Sequence, residues 1–131
     1  MPRFLAIPVI LAAAALAGCA GTRTGQAGRL PTGDQLVTVV VSQDRRVVER
    51  ECNNPLAVGP VYGCQMSSPI VLPDGRPARS VKIVRYTDAL PSTMAFEIEI
   101  HELCHAVAAL QTLDDPCHLD GRGFLQASRP R

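Results

Sequence analysis

The sequence predicts an α+β fold: a small, mostly antiparallel sheet packed on one long helix and stapled by disulfides. Three observations carry this expectation. Short Val-rich runs broken by turn signals fill residues 35–86, a stretch free of Gly and Pro covers residues 93–111, and five cysteines occur in 131 residues. Such a length supports one domain at most. The balance of 13 basic against 12 acidic side chains creates no field that would attract nucleic acid, so no nucleic-acid partner is expected.

The chain opens with Arg3, an almost continuous apolar run over residues 4–17, and then Gly18 and Cys19. This is the layout of a secretory signal peptide over residues 1–18. The run falls short of the roughly 20 residues that cross a bilayer, and Pro8 interrupts it, so a permanent span is not expected. Leu16, Ala17, Gly18 and Cys19 resemble the lipobox of bacterial lipoproteins. That resemblance implies that Cys19 is lipidated and becomes the first mature residue. It also implies that Ala20 directs the protein to the outer membrane, facing the periplasm. Acyl chains contribute about 0.8 kcal/mol per buried methylene, enough in pairs to hold a protein on a membrane. Residues 20–34 are rich in Gly, Thr and Pro without apolar periodicity, and read as a flexible tether. The expected organisation is therefore a leader over 1–18, anchor and tether over 19–34, and a folded domain over 35–131.

Within that domain, QLVTVVVSQ (35–43) reads as a strand, and RRVVERE (45–51) as its continuation or partner. Short runs at 61–66 and 69–72 follow. The turn sequence PDGR at 73–76 then leads into SVKIVRY (80–86), with apolar residues on both faces. Pro91, Ser92 and Thr93 supply helix-start signals for 93–111. The alternation of Phe96, Glu97, Ile98, Glu99 and Ile100 is also compatible with a strand, but the length of the segment favours helix. Asp114, Asp115 and Pro116 end it. Leu103, Val107 and Leu110, spaced i, i+4 and i+7, read as core.

The helix contains His101, Glu102, Leu103, Cys104 and His105, an HExxH motif. Two imidazoles four residues apart sit about 40° apart on one face, one turn apart, where both reach a single metal ion. Glu102 lies about 60° beyond His105, close enough to accept a proton from an attacking water without being a ligand. His118, 13 residues after His105, completes the histidines of the chain. After a helix ending near residue 111, the returning chain is long enough to bring His118 back to the same ion. Zinc is the expected metal, with His101, His105 and His118 as ligands and Glu102 as general base. Asp114, Asp115 and Asp120 are the fallback carboxylates.

With Cys19 lipidated, Cys52, Cys64, Cys104 and Cys117 form an even set in an oxidising compartment, with three possible connectivities. Proximity favours Cys52 with Cys64 and Cys104 with Cys117, the latter placing His118 beside the metal face. Cys104 or Cys117 as a zinc thiolate is the competing view. Tyr62, Tyr86 and Arg122 are the candidates for polarising a carbonyl.

The HExxH stretch from His101 to His118 resembles the zincin class of metallopeptidases. Leu103, Cys104, Ala106 and Val107 fit the stricter zincin pattern, whereas Glu99 departs from it. HELCHA followed by a third histidine is also similar to SprT-like metallopeptidase domains, although the region those domains carry after that histidine is absent. Ala108 stands where the metzincin signature has glycine. The resemblance implies a zinc peptidase acting on peptide or protein substrates in the cell envelope. The alternative is a non-catalytic envelope lipoprotein whose helix is a disulfide-stapled interaction or metal-binding surface.

Overall fold

The glycine- and threonine-rich segment expected to be a tether is a strand. In the computed structural model, which describes residues 20–53 and 55–118, β1 (Thr22–Arg29) pairs antiparallel with β2 (Gln35–Ser42). Arg23 stands opposite Val41, and Ala27 opposite Val37. Apolar periodicity misses this strand because its inward positions include Gly25 and Ala27, alternating with exposed Thr22, Thr24 and Gln26. Small residues are needed there: a Cβ on Gly25 would run into the side chains of Ile100 and Phe96. At Gly28, with φ +77°, a Cβ would lie 2.7 Å from both Cys104 Sγ and Leu36 Cβ, so backbone and space both demand glycine. The leader over 1–18, Cys19, Asp120 and Arg122 lie outside the described residues.

Residues 45–51, expected to extend or partner the Val-rich strand, form a helix instead: α1 (Arg45–Cys52). Asp44 caps it by accepting a hydrogen bond from Arg46 N at 2.9 Å, and Asn53 ends it in the left-handed region. Val48 and Cys52, four residues apart, are buried while Arg46, Glu49 and Arg50 stay in water. That helical spacing outweighs the β propensity of Val47 and Val48. β3 (Gly63–Val71) and β4 (Pro77–Tyr86) form a hairpin across the expected turn at 73–76, where Gly75 adopts φ +82°. β4 also pairs parallel with β2. The sheet order is β1-β2-β4-β3, with two antiparallel pairings and one parallel.

α2 (Thr93–Leu110) is the long helix, capped by Ser92, whose hydroxyl accepts from Ala95 N at 3.1 Å. The period-two stretch at 96–100 is thus helical. α2 lies over β1 and β2, burying Phe96, Ile100, Cys104, Val107 and Ala108 with Val37, Val39 and Val41. On the opposite face α1 buries Val48 and Cys52 with Val40 and Val84. Leu103 and Val107 pack as expected, but Leu110 is 87% exposed. The helical wheel puts it midway between half-buried Leu103 and exposed Glu99, at the edge of the buried stripe and in the last turn of the helix. No described helix is long and apolar enough to cross a membrane. Cys52 is bonded to Cys64, joining α1 to β3, and Cys104 to Cys117, joining α2 to a 3-10 turn at Pro116–His118.

Candidate metal centre

The last half of α2 projects His101 and His105 from successive turns, with their Nε2 atoms 3.1 Å apart and ring centroids 4.6 Å apart. Tetrahedral coordination with metal–nitrogen distances of 2.0–2.1 Å separates neighbouring donors by about 3.3 Å, so this pair already stands near ligand spacing. His118 enters from the 3-10 turn, its ring centroid 5.0 Å from that of His101 and 4.6 Å from that of His105. One ring nitrogen from each histidine lies within 4.8 Å of the other two, an arrangement that could hold a metal ion. All three rings are half-buried. A cavity of about 330 Å³ opens beside them, lined by His105, Ala108, Ala109, Leu113, Asp115 and His118.

The return of His118 is built by several local devices. Gln111 clamps the helix end to β4: Arg79 N donates to its Oε1 at 2.7 Å, and its Nε2 donates to Arg79 O at 2.8 Å. Thr112 and Asp115 take positive φ, and Leu113 N donates back to Ala108 O at 3.0 Å, which reverses the chain against the helix. Leu113 and Cys117 then pack on the core, and buried Pro116 fixes the turn. The Cys104–Cys117 bond, with Cα atoms 5.9 Å apart, sets His118 next to the histidine pair.

Sequence reasoning placed Asp115 only among fallback ligands. Its Oδ2 instead lies 2.8 Å from His118 Nδ1. That hydrogen bond holds the Asp115 carboxyl below the usual carboxylate range, against an opposing effect of burial. With Nδ1 facing the carboxylate, Nε2 is the nitrogen left for a metal. The Asp-x-x-His spacing just before the third histidine was the available signal. His105, Asp115 and Cys117 also converge, but Cys117 Sγ is committed to the disulfide, as is Cys104 Sγ, which removes both as thiolate ligands. Glu102 is exposed on α2, immediately after His101, while Cys104 on the other flank is buried. Glu99, where the chain departs from the zincin pattern, pairs with Arg85 of β4 at 3.1 Å.

Tyr62 and Tyr86 do not join this cluster. They pack edge to face with centroids 6.1 Å apart, and Arg45 lies 5.0 Å over the Tyr62 ring. Tyr86 is opposite Ser42 in the register and packs in the α1 layer, whereas Cys104 sits against Gly28 and Leu36 at the other end of the sheet. Register separates the two ends, so neither tyrosine can polarise a carbonyl at the histidines. Arg122 lies outside the described residues. Compared with known proteins, the chain matches no family model, no curated protein and no solved structure.

Proposed function

We propose that this chain is a lipid-anchored zinc metallopeptidase of the bacterial cell envelope, hydrolysing peptide or related amide bonds in the periplasm. The observation that carries the reading is the convergence of all three histidines of the chain at one point, with Glu102 on the same helix. Three neutral imidazoles suit zinc, whose catalytic sites use three protein ligands and keep a fourth position open. Bound there, zinc would supply Lewis acidity toward a substrate carbonyl and a water made acidic enough to react near neutral pH. His101, His105 and His118 would hold the ion, and Asp115 would fix the His118 ring. Glu102, solvent-exposed beside the pair, would accept the proton of the attacking water and pass it to the leaving nitrogen. The 330 Å³ opening next to His105 and His118 leaves one side of the cluster accessible to a chain of substrate.

The test is metal analysis of the purified chain with its disulfides intact, followed by peptidase assays. Stoichiometric zinc that is lost on His101→Ala, and hydrolysis that is lost on Glu102→Gln with zinc retained, are the expected results. A chain that binds no metal overturns the proposal. One observation favours a second reading, a metal-binding lipoprotein without hydrolytic activity: both tyrosines that could have stabilised an oxyanion lie at the far end of the sheet. Under that reading Glu102→Gln changes neither zinc content nor any measured hydrolysis.

A further inference from the structure

We infer that the end of the sheet formed by Gly21, Ser42, Tyr62 and Tyr86 is a lipid-docking face, with the 55–62 loop in contact with the bilayer. In part this rests on the lipoprotein reading. Because residues 22–29 are a strand, only Ala20 separates Gly21 from the cysteine at position 19. Gly21 is itself pinned to the fold: its N donates to Gln43 Oε1 at 3.2 Å, and its O accepts from Gln43 N at 2.9 Å. An acylated Cys19 therefore holds this end of the domain against the lipid, with no tether to let it swing away.

The same end carries the surface that such contact requires. Gln43 Nε2 donates to Asp88 O at 2.8 Å, Thr87 N to Ser42 O at 3.0 Å, and Tyr86 N to Tyr62 O at 2.8 Å. These bonds tie the point where the chain enters the fold to the end of the 55–62 loop. That loop presents Leu56 at 87%, Val58 at 104% and Tyr62 at 57% exposure, three of the large apolar residues left in water among those described. Exposed apolar side chains on a loop gain free energy when buried, a gain that solvent withholds and acyl chains supply. The charges around it are mixed: Arg45 pairs with Glu49, Arg46 with Asp44 and Lys82 with Glu51, and the Asp88 carboxylate hydrogen-bonds Tyr86.

The consequence is an orientation. Cys104, which sits between the histidines, packs against Gly28 and Leu36, six residues along β2 from Ser42. Ile100, next to His101, packs on Gly25 opposite Val39, so at 3.3 Å per residue the histidine cluster is held about 10–20 Å above the docking face, toward the periplasm and away from the lipid.

The test uses the full chain, purified from bacterial membranes and reconstituted into phosphatidylglycerol–phosphatidylethanolamine vesicles whose acyl chains carry bromine, a fluorescence quencher. The chain contains no tryptophan, so Val58→Trp and Leu110→Trp each place a single reporter at an exposed position, one on the proposed contact and one at the far end of α2. Brominated vesicles are expected to lower Val58→Trp emission at least about twofold relative to unbrominated ones, and to leave Leu110→Trp unchanged. Any other pattern overturns the docking face. Mass spectrometry of the same sample decides the anchor separately: an unacylated Cys19 refutes the lipoprotein reading, while the quenching pattern still decides the contact.

Discussion

Asp115 Oδ2 lies 2.8 Å from Nδ1 of His118, so the third histidine of the cluster is oriented by a carboxylate three residues before it. Unlike His101 and His105, which a helix positions rigidly, His118 stands on a three-residue 3-10 turn. A ligand on such a turn needs a second contact to fix its ring and its tautomer. Asp115→Ala is therefore expected to weaken zinc binding about 10–100-fold, the usual effect of losing such a partner, with the fold unchanged. Competition of the purified variant against a zinc-chelating dye at fixed pH measures it, and unchanged affinity would show that Asp115 does not orient the ring.

The two disulfides close loops of nearly equal size, with separations of 12 and 13 residues, yet only one adjoins the histidines. In the chain-entropy model each is worth about 3 kcal/mol, so Cys64→Ser and Cys117→Ser should lose similar stability in chemical denaturation. Zinc affinity should separate them. Cys117→Ser frees the turn that carries His118 and should reduce binding to that of the His101–His105 pair, whereas Cys64→Ser should leave it intact. Equal zinc affinities in the two variants would mean that the turn holds His118 without the disulfide.

Glycine at position 28 answers two demands that a second glycine helps to separate. Gly28 has φ +77° and no room for a Cβ against Cys104 Sγ and Leu36 Cβ, while Gly33 has φ +90° and nothing within 4 Å. Gly33→Ala thus carries the backbone penalty alone, roughly 1–2 kcal/mol. Gly28→Ala should cost clearly more, because α2 must move off β1 to admit the methyl group. Urea midpoints of the two variants give the comparison, and equal shifts would show that the packing of α2 on β1 tolerates the extra atom.

These positions also show what the sequence made legible. HExxH fixed the helix face, and elementary geometry placed His118 within reach, because the ligands sit on a regular element whose period is known. The disulfide pairs followed from proximity along the chain. β1 was hidden because its inward side chains are small by necessity: Phe96 and Ile100 fill the space that larger residues would occupy. α1 was hidden by the adjacent valines 47 and 48, of which only Val48 is fully buried, in register with Cys52 four residues on. In both cases a partner distant in sequence decides the local structure, and no local pattern encodes it.

The ion pair between Lys82 of β4 and Glu51 of α1, at 2.7 Å, gives stability a pH dependence of defined sign. The Lys82 ammonium, by hydrogen bond and charge, lowers the Glu51 carboxyl below its ordinary value of 4.5, with burial opposing. A depressed folded-state pKa contributes stability that is fully present above the unfolded value and is lost as pH falls through the folded one. The pair is partly exposed and screened by solvent, so the effect is small. Lys82→Met should flatten the acid limb of a plot of denaturation midpoint against pH below about 4.5, and should leave the curve above it parallel to that of the parent. An acid limb as steep as the parent's would assign the loss of stability to other carboxylates.

Zinc should stabilise the folded chain rather than assemble it. Two imidazole nitrogens already stand 3.1 Å apart, and the third histidine is held by a disulfide and a carboxylate, so little ordering remains for the metal to impose. An ion that binds only the native state adds RT ln(1 + [L]/Kd), about 2.7 kcal/mol at a hundredfold excess over Kd. Calorimetric melts of the metal-stripped chain should therefore show a cooperative transition that moves to higher temperature on adding zinc and returns on adding a chelator. Circular dichroism of the stripped chain should already show the helices. The shift should vanish in His101→Ala and His105→Ala, shrink in His118→Ala, and persist in full in Glu102→Gln, because the glutamate is assigned to proton transfer and not to coordination. A Glu102→Gln chain that lost the shift would make Glu102 a ligand, and the chemistry proposed for it would have to be abandoned.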